Sequence, residues 1–127
     1  MRALAVSFLV LVLLTGIWFG FHRYSESTLE DIRLACSEKI MPAIESDHWE
    51  DAHAVYAVQM QEWQRYKKAA LYMLETDQLN EVDTAFAKTL MYIKAKDLSN
   101  SSGELLALQE LLKQLHENEC LTFANIL

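Results

Sequence analysis

The sequence predicts an all-α protein: an N-terminal transmembrane helix that continues into an antiparallel, up-down helical bundle of about four helices. Three observations carry this. Residues 3–21, ALAVSFLVLVLLTGIWFGF, hold no charged side chain. Beyond them, apolar residues recur at alternating spacings of three and four, the mark of one helix face. Breakers are scarce, with three Gly and one Pro in 127 residues, too few for the many turns of a sandwich or barrel.

The first element is a signal-anchor helix over 1–22. About 20 helical residues at ~1.5 Å each span the ~30 Å hydrocarbon core of a bilayer. Trp18 and Tyr24 stand where the chain would leave it, the usual place for amphipathic rings. A cleaved signal peptide is the rival reading. It calls for a shorter apolar run and small residues at the cut, whereas Phe21-His22-Arg23-Tyr24 is bulky. Arg2 and Arg23 flank the run almost evenly. The balance slightly favours a cytoplasmic N-terminus and an extracytoplasmic bundle in the cell membrane.

Residues 23–127 form the bundle, with helices expected over about 25–45, 48–75, 78–97 and 102–118 and an apolar tail at 119–127. The first stripe is Leu29, Ile32, Cys36, Ile40 and Ala43, and Pro42 should kink or stop that helix. Asp47 with Glu50 reads as a capping box for the second helix. The second stripe, Trp49, Ala52, Tyr56, Gln59, Trp63, Tyr66, Ala70 and Met73, is rich in aromatic residues. Thr76-Asp77 breaks the chain before Leu79, Val82, Phe86, Leu90 and Ile93. Leu98-Ser99-Asn100-Ser101-Ser102-Gly103 reads as the clearest loop, with Ser101 and Glu104 as a second capping box. Leu105, Leu108, Leu112 and Leu115 mark the last helix. Short loops between such segments make neighbours antiparallel.

Charge narrows the function classes. The formal net charge is −7, and Arg2 is the one charged side chain within 1–21, so the bundle carries −8. An acidic surface is repelled by phosphate backbones, which argues against nucleic-acid partners. His48 and His53 stand five apart and do not share a face as a two-His metal motif requires. The acidic runs Glu30-Asp31 and Glu117-x-Glu119 read as solvated faces or helix ends. No catalytic, cofactor-binding or metal-ligating set emerges, and the expected protein is not an enzyme.

Several residues remain as candidates for contact. Trp49, Tyr56, Trp63 and Tyr66 are either core or an interaction surface; the apolar tail residues Leu121, Phe123, Ile126 and Leu127 join them as candidates. Arg65, Lys67 and Lys68 form the one basic cluster and could meet anionic lipid. Cys36 and Cys120 are two buried thiols or one disulfide. The expected partners are the lipid bilayer and either another membrane protein or a second copy of the chain. The expected role is a membrane-anchored accessory or interaction protein. A ligand-sensing bundle outside the cytoplasm is the alternative, since helical bundles can hold small molecules between helices.

Asp47-His48-Trp49-Glu50-Asp51-Ala52, Glu62-Trp63, Tyr92-Ile93-Lys94, Glu104-Leu105-Leu106-Ala107-Leu108-Gln109-Glu110-Leu111 and the terminal Leu121-Thr122-Phe123-Ala124-Asn125-Ile126-Leu127 together form a pattern. It resembles the uncharacterised bacterial family named domain of unknown function 4363, seen mainly in endospore-forming Firmicutes. The resemblance covers nearly the whole chain. It implies a membrane-bound helical protein and supplies no catalytic residue. One departure stands out: the acidic-His-Glu stretch of the family reads here Glu75-Thr76-Asp77-Gln78, without histidine.

Overall fold

The structure, a computed structural model, describes the backbone of residues 1–126 and the side chains through Leu121. It is all-α. α1 (Arg2–Ala35) passes through a π-helical turn (Cys36–Ile40) into α2 (Met41–Glu45), and α3 (Trp49–Ala70), α4 (Thr76–Lys94) and α5 (Leu98–Ile126) follow. From Arg2 to Glu45 the chain is one unbroken rod. This helix is long and, in its N-terminal half, apolar enough to cross a membrane, a property that a signal sequence shares. The rest of the rod packs with α3, α4 and α5 as a four-helix, up-down bundle in which α5 closes back on α1.

Pro42 does not end the first helix. A proline lacks the N–H that would bond one turn back, and its ring crowds that carbonyl. The π turn just before it widens the backbone, with Met41 N–H bonding Cys36 O instead of the carbonyl four back. The extra residue also shifts the stripe. Ile44 is buried where Ala43 was expected, and Ala43 is only partly covered.

Two of the three connections share one device. His48 N–H bonds Ala43 O and Asp47 N–H bonds Ile44 O; Asp97 N–H bonds Tyr92 O and Lys96 N–H bonds Ile93 O. Each is a Schellman ending, which needs a left-handed residue. Asp47 (φ 62°) and Lys96 (φ 55°) supply it without glycine. The capping box expected at Asp47 is therefore absent. Asp47 terminates the first helix, and its carboxylate accepts from Trp49 Nε1 at 2.6 Å.

The loop expected over 98–103 is helical. Asp97 caps α5 one turn earlier than Ser101 would, its carboxylate accepting from the Asn100 N–H (3.0 Å) and side chain (2.7 Å). Those two bonds hold its carboxyl below the usual range. Ser101 and Ser102 return their hydroxyls to the Asp97 and Leu98 carbonyls, so serines that favour loops are satisfied inside the helix. α3 ends at Ala70, short of the expected 75, and residues 71–74 form the turn into α4.

An aromatic column fills the core. Trp63 stacks on Phe86 at 5.8 Å, Tyr56 meets Phe86 at 5.8 Å, and Trp63 meets Tyr66 at 5.6 Å. The polar tips are all used. Tyr56 donates to Phe86 O at 2.5 Å, and Trp63 Nε1 donates to Asp83 at 2.7 Å. Burial raises both tyrosine hydroxyls, Tyr56 and Tyr66, above their ordinary range.

Candidate functional site

Among the described residues, a cluster of buried polar side chains lies at the end of the bundle nearest the apolar segment. Its residues come from three stripes. On α1, Ser25 stands four residues before Leu29. On α3, Tyr66 follows Trp63 by three. On α5, Glu119 follows Leu115 by four and so occupies the next inward position of the leucine stripe. The helical period that buries the leucines buries Glu119 as well. Ser25, Tyr66 and Glu119 are each 0 % exposed.

The three groups form a chain. Ser25 Oγ–H donates to Glu119 Oε2, so Tyr66 O–H, 2.7 Å from Ser25 Oγ, must be the donor there. A serine hydroxyl has one proton and two lone pairs, and both roles are filled. The result ties α1, α3 and α5 together through a single oxygen. Phe21 and Tyr24 flank the Tyr66 ring at 6.0 and 5.9 Å.

Two histidines complete the site. His22 and His116 stack at 6.0 Å with their planes 21° apart. His22 Nδ1 lies 3.4 Å from Glu119 Oε1, and His116 Nδ1 lies 4.0 Å from Glu119 Oε2. Removal from water raises the Glu119 carboxyl above its ordinary 4.5; the Ser25 bond and the two imidazoles work in the opposite sense. Desolvation is the largest of these influences.

Cys120 lies 3.9 Å from His116 Nε2. Cysteine, histidine and glutamate in that order suggest an activated thiol. The electrostatics oppose it. Desolvation and the charges of Glu119, Glu26 and Glu117 all raise the Cys120 thiol, whereas a nucleophilic cysteine needs a lowered one. Among the described residues, no group of three or more His, Cys, Asp or Glu side chains is arranged to hold a metal ion.

The residues singled out from the sequence fall elsewhere. Trp49, Tyr56, Trp63 and Tyr66 are buried, which corrects their reading as a contact surface: their rings are the core. Lys67 pairs with Asp83 across to α4, and Arg65 pairs with Glu62 on its own helix at 3.1 Å; Arg65 and Lys68 are both exposed, and Lys67 is half-buried. Leu121 is 62 % exposed. Phe123, Ile126 and Leu127 lie outside the residues whose side chains are described. Cys36 and Cys120 are both free thiols, which corrects the disulfide reading. Cys36 lies 14 residues up α1 from His22, roughly 20 Å, while Cys120 sits beside His116 and hence level with His22; a disulfide needs Cα atoms within about 7 Å. Burial pushes the Cys36 thiol up to about 12.

Sequence reasoning treated Glu117-x-Glu119 as solvated and missed the site. The signal was present in the period. Continuing the leucine stripe by four from Leu115 lands on Glu119, and continuing the first stripe back by four from Leu29 lands on Ser25.

These features define a class: a small, acidic helical bundle joined to a long apolar helix, with a buried carboxyl at the junction. Residues 21–126 match the family described as Domain of unknown function (DUF4363), and the chain belongs to it. The matched stretch opens at Phe21, the first residue of α1 that is buried in the bundle. Neither the curated proteins nor the solved structures compared with the chain include a match.

Proposed function

We propose that the chain is a single-pass cell-membrane protein without enzymatic activity, whose bundle docks a membrane-protein partner or a second copy of itself. The N-terminus would be cytoplasmic and the bundle outside. The observation that carries the proposal is the continuity of α1. Phe21 and Ser25, at the end of the apolar run, are packed into the bundle, and Ser25 is the oxygen that joins three helices. Cleavage there as a signal peptide would cut into the core stripe. An uncleaved α1 couples the bundle rigidly to the membrane, which suits presentation of a surface to a neighbour.

The open grooves run along the outside of the helix seams. One of them, about 470 Å³, lies between α1 and α3 and is bordered by Asp31, Leu34, Glu38, Val58 and Glu62. Exposed Leu34 and Val58 framed by carboxylates suit a partner helix with an apolar stripe and basic flanks. Alkaline extraction, the mass of the mature chain and protease accessibility in sealed cells test anchorage and orientation. Cross-linking from a label at Val58, followed by identification of the linked peptide, tests docking. A chain released by alkali refutes the anchor. A chain that stays monomeric and unlinked in the membrane refutes the docking role.

A further inference from the structure

Three segments meet at the membrane-side end of the bundle, and their depths can be read against α1. The apolar run of α1 ends at Phe21. The Tyr66 ring stacks on Phe21, and α3 runs toward the membrane, so Leu71 and Tyr72 lie about 8 Å deeper than Tyr66. That brings them level with about Gly16, roughly a turn and a half inside the apolar run. Leu71 is 47 % and Tyr72 89 % exposed. α5 runs the same way. Glu119 faces His22 and Ser25, and the helix continues through Ile126, about 10 Å further. Residues 120–126 carry no charged side chain, and Leu121 is exposed. Trp18 is the one residue of 1–20 that is partly covered.

We infer that this end of the bundle is itself seated in the bilayer, with the 71–74 turn and the last two turns of α5 forming a collar around α1 at the lipid interface. The inference rests on the reading that α1 spans the membrane. Lipid fits this surface better than a protein partner would, because the collar surrounds the point where α1 enters the bilayer. Tyrosine and leucine are the residues an interface accommodates, and Lys68 stands one turn above Tyr72, at head-group height. Glu75 and Asp77, directly after the turn, limit it to the interfacial zone. The opposite end of the bundle is more charged: Glu45, Ser46, Asp47, Lys94, Lys96 and Asp97 surround its turns, beside an exposed Leu98. The bundle would then stand in the head groups, with Glu119 and its histidines at the boundary between lipid and water.

The test uses the full chain in vesicles of phosphatidylcholine and phosphatidylglycerol, in a Cys36→Ala, Cys120→Ser background that keeps its helical circular dichroism. An environment-sensitive fluorophore is placed through Tyr72→Cys, and in a separate chain through Asn100→Cys at the far end. The expected result is several-fold stronger quenching at position 72 than at 100 by nitroxide-labelled lipid, with the reverse order for aqueous iodide. Leu71→Asp added to the first chain should restore iodide access while leaving the chain resistant to alkaline extraction. Equal iodide access at both positions in an alkali-resistant chain overturns the collar and leaves the anchor standing. Shielding at 72 that disappears as protein is diluted in lipid assigns the surface to a second copy and overturns it too. A chain released by alkali overturns both readings.

Discussion

Ser25→Ala probes the junction most directly. Ser25 Oγ accepts from Tyr66 and donates to Glu119, so the substitution strands two buried polar groups while changing one atom. A stranded buried group costs about 1–3 kcal/mol, which gives roughly 2–6 for the pair. A value near 3 kcal/mol is expected, because His22 and His116 still face the carboxylate. For a bundle of this size that lowers Tm by roughly 12–24 °C. Tyr66→Phe is the companion. It removes the outer donor only, Ser25 still serves Glu119, and the cost falls to about 1 kcal/mol. The double substitution removes one of the groups that Ser25→Ala strands, so its cost should fall below the sum of the singles by about 1 kcal/mol or more. Urea unfolding of the full chain in mild detergent, followed by circular dichroism, measures all three. Ser27, exposed two residues away, supplies the control. If Ser25→Ala stays within about 0.5 kcal/mol of Ser27→Ala, or the cycle is additive, the three-helix chain is wrong.

Four further outcomes follow from the same structure. The Glu119 carboxyl is raised above 4.5 in the folded state, so the folded chain binds more protons than the unfolded one. Its contribution to stability is fullest below 4.5 and declines as pH rises through the folded value; Glu119→Gln should flatten that part of the stability–pH profile, and superimposable profiles would contradict the assignment. Asp83→Ala strands the Trp63 indole N–H and releases Gln64 and Lys67, an expected loss of about 2–3 kcal/mol in urea, whereas Lys67→Met should cost under about 1. Lys96→Gly relieves a left-handed lysine and should raise stability by about 0.5–1 kcal/mol; a decrease would show that the α4–α5 turn is built differently. In the native chain a maleimide should modify Cys120 well before Cys36, which is fully buried with its thiol at about 12, and non-reducing electrophoresis should show no internal cross-link.

The sequence by itself determined the helices and most of their inward faces. Trp63, Tyr66, Leu108 and Leu112 are buried where their spacing puts them, because a 3.6-residue period and the exclusion of water act on each helix separately. The breaks near Asp47 and Asp97 were legible for the same reason, although which residue caps and which terminates was not. Asp47 looks like a start signal and works as an end, since only the position of Trp49 decides where its carboxylate finds a donor. Pro42 looked like a kink or a stop and is absorbed by a π turn that moves Ile44 inward.

The polar junction belongs wholly to the tertiary structure. Period placed Ser25 and Glu119 on inward faces, but a lone serine or glutamate on a stripe reads as an interruption. Only the packing of three helices at one level supplies the partners that make a buried carboxyl tolerable. The depth of the 71–74 turn and of the α5 end beside the apolar run is likewise a relation between helices, invisible to the spacing within any one of them.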